Sequence, residues 1–324
     1  MKLLITGGSG FIGTNLIYEA IKTGYTILNL DIKPPKDKDL LNLWKKVDIL
    51  DYEVLEKMFT SFCPDYVIHL AARTDCDETV TLEDGYKINI NGTKNLLNVI
   101  NNTPSVNRII ITSTQFVYKS SVDIPQNDTD YKPHTIYGQS KIITEQLTRS
   151  SDMNCIWTIV RPTTIWGPGD LIYRNQFYKI LKKKLYFHPG NKPCYRSYGY
   201  VGNIVFQFLK ILNTNPEKVN KKVIYLGDEL INVLDWVNEF HMQLYYRKAY
   251  IIPSMFIKLF AIFGDLISKI SGERFFIDSS RYHSMIESYP VPINPTYEIL
   301  GKPPFTMKQG VEHTIVWLKQ RDAL

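Results

Sequence analysis

Apolar positions recur along the chain with two alternating periods. Lys2 to Thr6 is a short apolar run that stops at glycines, after which Leu16, Ile17, Ala20 and Ile21 return at helical spacing until Gly24. The spacing predicts strand, turn, helix. Further β-rich runs follow at Thr26 to Leu30, Tyr66 to Leu70, Arg108 to Thr112 and Trp157 to Val160, each separated from the next by enough residues for a helix. That alternation predicts an α/β fold, a doubly wound parallel sheet with helices on both faces. After Arg161 the pattern breaks up, with Pro162, Gly167, Pro168, Gly169, Pro189, Gly190 and Pro193 punctuating a looped and smaller lobe.

The turn after the first strand reads Gly7-Gly8-Ser9-Gly10-Phe11-Ile12-Gly13. Glycines at these points let the backbone approach a pyrophosphate and aim main-chain N–H groups from the helix start at it. Asp31 closes the second run, where a carboxylate accepts the adenosine ribose hydroxyls and repels a 2′-phosphate, so NAD is expected over NADP. The fold expected is therefore of Rossmann type, with NAD on residues 1–162. Residues 163–324 then form mainly a discontinuous C-terminal substrate lobe, and segments near 197–227 are expected to return to the first domain. Asp48, at the end of an apparent third strand, is a candidate acceptor for the adenine amino group.

Tyr137 and Lys141 stand at i and i+4 on a helical segment, which puts phenol and ammonium one turn apart on the same face. A cation there stabilises phenolate and suits the pair to proton transfer near neutral pH. The run Arg108 to Thr112 leads into Ser113-Thr114, so these hydroxyls are expected at the carboxyl edge of the sheet, on the side of the glycine turn. His69, inside an apolar run, is expected to be structural.

With 324 residues, 44% apolar and 22% charged, the chain can bury a large core, which excludes wholesale disorder and a disulfide mini-scaffold. Lys and Arg number 38 against 32 Asp and Glu, a net charge of +6 that suits an anionic small molecule without calling for nucleic acid. Cys63, Cys76, Cys155 and Cys194 form no C-x-x-C pair, so neither a metal site nor a disulfide framework is expected, and a reducing cytoplasm is. The apolar start runs at once into Thr6 and the glycine loop, unlike a signal peptide. The most lipophilic region, Ala249 to Ile270, is broken by Lys258 and Asp265 and falls short of a membrane span. A core or subunit-contact helix is expected there, with membrane-surface contact as the alternative.

The sequence resembles the extended short-chain dehydrogenase/reductase superfamily, in its NAD-dependent nucleotide-sugar epimerase/dehydratase branch. The motifs that carry the resemblance are Thr6-Gly7-Gly8-Ser9-Gly10-Phe11-Ile12-Gly13, Asp48-Ile49, His69-Leu70-Ala71-Ala72, Asn89-Ile90-Asn91-Gly92-Thr93, Tyr137-x-x-x-Lys141 and Arg161-Pro162 before Trp166-Gly167-Pro168-Gly169. The resemblance implies that Tyr137 is the general acid/base, that Lys141 lowers its pKa and holds the nicotinamide ribose, and that Thr114 hydrogen-bonds the reacting oxygen. It implies a cofactor surface made by Gly7, Gly10, Phe11, Ile12, Gly13, Asp31, Asp48, Ile49, Leu70, Ala71, Ala72, Asn89, Thr112, Tyr137, Lys141 and Pro162, with Asn89 also supporting the helix beside that site. Substrate contacts are implied at Thr114, Thr164 and Arg196, and a homodimer through the helix after Asn91 and the helix bearing Tyr137.

The expected activity is NAD-dependent epimerisation, or keto reduction, at a hydroxyl-bearing carbon of a nucleotide-activated sugar. A 3β-hydroxysteroid-type dehydrogenase of the same superfamily and a non-catalytic NAD-sensing protein are the alternatives. Tyr173, Arg174, Tyr195 and Arg196 suit a diphosphate rather than a sterol. The sequence departs from the family's dehydratases at Gln115 and Phe116, where those enzymes carry an acidic pair, so dehydration is disfavoured. Thr164 replaces a usual Asn, and Lys119 a usual glycine.

Overall fold

A computed structural model of the chain describes residues 1–120, 122–170, 177–190, 192–272, 275 and 277–320. Seven parallel strands form the central sheet: β1 (Lys2–Thr6), β2 (Thr26–Asp31), β3 (Trp44–Lys46), β4 (Tyr66–His69), β5 (Arg108–Thr112), β6 (Ile156–Pro162) and a late strand, β10 (Lys222–Leu226). Their spatial order is β10-β6-β5-β4-β1-β2-β3. The order reverses between β1 and β4, and in such sheets ligands bind outside the carboxyl ends of the strands at that point.

Both faces of the sheet are covered, which is why its strands read as nearly unbroken apolar runs rather than as alternating ones. Leu3 and Ile5 of β1 enter one core while Leu4 enters the other, and in β5 Ile110 separates from Ile109 and Ile111 in the same way. Helices Phe11–Lys22 and Val201–Asn213 pack together on the first face, and Tyr52–Phe62, Thr93–Asn101 and Ile136–Ser150 line the second.

The remaining strands belong to the smaller lobe. β7 (Thr164–Trp166), β9 (Tyr195–Tyr200) and β11 (Leu230–Asn232) form a three-stranded sheet, and β8 (Phe187–Pro189) pairs with β12 (Tyr250–Ile252). Helices Ser254–Ser271 and Ser279–Ile286 pack on one another and on β8. Because β10 follows the first two lobe strands of the three-stranded sheet and precedes β11, the chain crosses between the two units more than once. The lobe's interior is largely aromatic: Trp166, Phe177, Trp236 and Phe240 stack and interlock with centroid separations of 4.7 to 5.9 Å.

Candidate active site

The carboxyl edge of β1 gives way to a turn that only glycine can make. Gly7 has a φ of +74°, and a Cβ there would stand 2.6 Å from the backbone nitrogen of Ala71. The Phe11–Lys22 helix begins with Gly10 at its cap and no side chain bonded across it, so its first N–H groups face the sheet edge. Asp31, half-buried at the end of β2, accepts from the backbone nitrogens of Ser9 at 3.1 Å and Lys33 at 2.9 Å, which fixes its carboxylate beside the turn. On the other side of the switch point the Thr112 hydroxyl is buried with no hydrogen-bond partner among the described residues. A glycine cradle, an open helix start, an acid at the strand end and an orphaned hydroxyl together fit NAD.

The adenine-side expectations fare unevenly. Asp48 lies two residues past β3, exposed, with Oδ1 accepting from Leu50 N at 2.9 Å. The side chain of Ile49 is buried against Gly92, leaving only main chain to face a ligand there, and its carbonyl accepts from Asn95 Nδ2 at 3.1 Å. Leu70, Ala71 and Ala72 follow β4 half-buried at the edge, and Pro162 closes β6 in a buried position.

Tyr137 enters on the first turn of the Ile136–Ser150 helix, which starts where Thr135 Oγ1 accepts from Gly138 N at 2.9 Å. The helix can lie close to the Gln115–Val117 turn because residue 138 is glycine: a Cβ would meet Phe116 O at 2.5 Å. Tyr137 is 7% exposed and sits between the rings of Phe116 and Tyr86, with centroids 6.3 and 6.2 Å away. Burial is the main influence on its phenol and pushes the pKa above the ordinary value, while a hydrogen bond with the Thr114 side chain pulls it down. Lys141 Nζ donates to Thr112 O at 2.8 Å, and burial brings its pKa down to about 8, opposed by Glu145. Tyr137 and Thr114 are thus joined by a hydrogen bond just past the end of β5, where Lys141 reaches Thr112 O, and the lowering of the phenol expected from Lys141 is replaced by a rise set by burial.

Asn89 acts on the helix rather than presenting its amide to the cleft. Its Nδ2 donates to Ser140 Oγ at 2.9 Å and to Arg73 O at 3.1 Å, its Oδ1 accepts from Arg73 N at 2.8 Å, and Ser140 Oγ donates in turn to Tyr137 O at 2.7 Å. His69 is held at both ring nitrogens, with Thr6 Oγ1 2.7 Å from Nδ1 and Thr93 Oγ1 3.0 Å from Nε2. Burial next to Lys141 takes its pKa down to about 3, so it stays neutral.

On the substrate side, Thr164 accepts at Oγ1 from Gln115 Nε2 at 2.9 Å. Arg196 lies on β9 and donates through Nε to Glu287 O at 3.1 Å. Tyr195 beside it is exposed, and Tyr173 and Arg174 lie outside the described residues.

Two features escape a reading of the sequence. Glu145, one turn beyond Lys141, is fully buried and takes two contacts from Arg161, Nε at 2.9 Å and Nη2 at 2.8 Å, with Ser113 Oγ at 2.6 Å and Tyr131 OH at 3.0 Å. An acid on an otherwise inward helix face was the available signal. The other is Tyr289, which reaches from the lobe with its hydroxyl 2.8 Å from Gln115 O and 2.5 Å from Tyr118 O and its ring stacked on Phe116. Nothing local in sequence marks it.

The sheet order and the glycine turn after β1 define a Rossmann-type dinucleotide-binding fold. A family model described as the NAD dependent epimerase/dehydratase family matches residues 3–227, and the chain belongs to that family. An N-acetyl-α-D-glucosaminyl-diphospho-ditrans,octacis-undecaprenol 4-epimerase of Escherichia coli O157:H7 is 28% identical over 97% of this chain and 94% of its own length. A 3-beta-hydroxysteroid dehydrogenase of Mycolicibacterium neoaurum is 27% identical, but over 64% of this chain and 60% of its own length. In fold the chain is similar to a UDP-glucose 4-epimerase of Thermotoga maritima with UDP-glucose, at a TM-score of 0.74 and 21% identity over 99% of both chains. It is also similar in fold to a UDP-glucuronic acid 4-epimerase of Bacillus cereus with UDP-glucuronic acid and NAD, at a TM-score of 0.73 and 20% identity over 99% of this chain and 100% of that one.

Proposed function

We propose that the protein is an epimerase that inverts a hydroxyl-bearing carbon of a sugar activated through a diphosphate, nucleotide-linked in the first instance. The observation that carries this reading is the meeting of Thr114, Tyr137 and Lys141 at the end of β5, beside the turn that fits NAD. NAD, when bound, supplies a hydride acceptor and donor at that carbon. Tyr137 removes the carbinol proton and returns it, and the Thr114 hydroxyl holds the same oxygen and steadies the phenolate. Lys141 puts a cation one turn from the phenol. The lobe lets the ketone turn before it is reduced from its other face. Gln115 and Phe116 carry neither acid nor base, which favours epimerisation over dehydration.

Residues 1–162 with β10 hold the dinucleotide in this reading, and the lobe residues Thr164 and Arg196 hold the sugar diphosphate. The steroid alternative has the weaker support, since the similarity to the steroid enzyme stops at about two-thirds of the chain. A second carrier is favoured by one observation: a relative matched along nearly its whole length at 28% identity acts, by name, on a sugar linked through diphosphate to a polyprenol. A homodimer through the Thr93–Asn101 and Ile136–Ser150 helices and a cytoplasmic setting, which four free thiols suit, complete the proposal.

The test is incubation of the purified protein with UDP-, GDP-, CDP- and dTDP-sugars and with undecaprenyl-diphosphate N-acetylglucosamine, with and without NAD or NADH. Products are identified by mass and NMR. Isomerisation without net change in nicotinamide supports the epimerase, and stoichiometric oxidation or reduction replaces it with a dehydrogenase. Tyr137→Phe is expected to lower turnover by a factor of about 10² to 10⁴ while NAD affinity, read by fluorescence titration, stays within about threefold. Unchanged turnover in that variant rejects the assignment.

A further inference from the structure

The Ser254–Ser271 helix carries two unlike apolar faces. Ile257, Ala261 and Gly264 are buried and form the seam by which it lies on the lobe. On another side Phe256, Leu259, Phe260, Ile262, Phe263 and Ile270 are 50 to 79% exposed, and at 3.6 residues per turn they spread over roughly 160° of the helix. Scattered apolar residues on a surface need no explanation, but a contiguous arc of this size marks a binding surface. Exposed Phe187, Tyr250 and Ile251, on the paired strands β8 and β12 at the foot of the helix, add to it. No helix among the described residues is long and apolar enough to cross a membrane, so any membrane contact of this face is made along the surface.

We infer that this face docks the protein on an anionic bilayer surface, with the helix lying in the interfacial plane. Charge separates this occupant from a second copy of the chain. Lys258 and Lys269 are exposed and border the apolar arc, whereas the helix's one acid, Asp265, is turned to Ser279, accepting from its backbone nitrogen at 3.1 Å. Lys183, Lys184 and Lys248, also exposed, precede β8 and β12. A two-fold contact would bring these cations against their own images, while anionic headgroups neutralise them and long lysine stems reach outward from an inserted apolar face. The arrangement also connects to the candidate site: the Ser279–Ile286 helix packs on the docking helix and leads to Tyr289, which closes on the Gln115–Tyr118 turn. The inference goes beyond the proposed sugar chemistry and is read without turnover, so either can fail alone.

Flotation of the full chain with phosphatidylcholine vesicles containing about 30% phosphatidylglycerol is the test. Wild type is expected to float with the vesicles, and Phe260→Glu/Phe263→Glu to lose at least about tenfold in bound fraction, with NAD binding and melting temperature retained. Lys258→Glu/Lys269→Glu leaves the apolar arc whole and is expected to weaken binding to these vesicles severalfold, with little effect on vesicles of phosphatidylcholine alone. Wild type that stays below the vesicles overturns the inference. So does a wild-type dimer, seen by light scattering, that the Phe260/Phe263 variant splits into monomers while neither binds lipid.

Discussion

Replacing Lys141 by Met is expected to kill the enzyme and strengthen the protein. A fall in the ammonium pKa from 10.5 to about 8 corresponds to about 3 kcal/mol of burial cost in the charged form, all of it present below pH 8. Met fills a similar volume without charge, but the hydrogen bond to Thr112 O, worth about 1 kcal/mol, goes with the amine. The net gain is about 2 kcal/mol at pH 7, a rise of about 4 °C in melting temperature for a chain of this size. The sign with pH follows from the depressed value: between pH 8 and 10.5 the unfolded chain binds more protons than the folded one, so wild-type stability climbs with pH and overtakes the variant's advantage. Denaturation midpoints without nucleotide should therefore differ by about 2 kcal/mol at pH 7 and by nearly nothing at pH 10, while turnover is down by a factor of at least about 10². A Met variant less stable than wild type at pH 7, or a gap that does not change with pH, refutes the argument that this cation is held at a cost for chemistry.

Glu145→Ala strands the buried Arg161 guanidinium and should cost about 3 to 5 kcal/mol, read as a shifted urea midpoint. Gly138→Ala forces the Tyr137 helix off Phe116 O, which stands 2.5 Å from the new carbon. A loss of about 1 to 3 kcal/mol in stability and a larger proportional loss in kcat than in NAD affinity are expected. Asp31→Ser removes the acid that faces the ribose in the proposed NAD pose, so the ratio of NAD to NADP affinity should fall by about tenfold or more in parallel titrations.

Much of the sheet and the cluster at its edge was legible because each depends on short-range rules. Arg108 to Thr112 forms a strand over the run its apolar residues mark, and Tyr137 and Lys141 face the same way because four residues make about one turn. The pattern puts Asp48 at a strand end, whereas the strand stops at Lys46, a boundary that hydrogen bonding rather than pattern decides. The phenol's pKa departs from the sequence expectation since charge spacing is written in sequence and desolvation is not; Tyr86 and Phe116 bury Tyr137 from separate elements. The same holds for Ile49, whose neighbour Gly92 is distant along the chain. The outward face of the Ser254–Ser271 helix cannot be told in sequence from a core or subunit-contact face, as hydropathy counts apolar residues without saying which of them find a partner.

The reach of Tyr289 into the turn after Thr114 bears on how the enzyme is born. Strands β1 to β6 all lie within residues 1–162, yet the residue that clasps the turn after Thr114 comes more than a hundred positions later, with its backbone nitrogen held by the Tyr195 carbonyl of β9. A nascent chain that has reached only residue 162 therefore carries the glycine turn without the contact that pins the Gln115–Tyr118 segment.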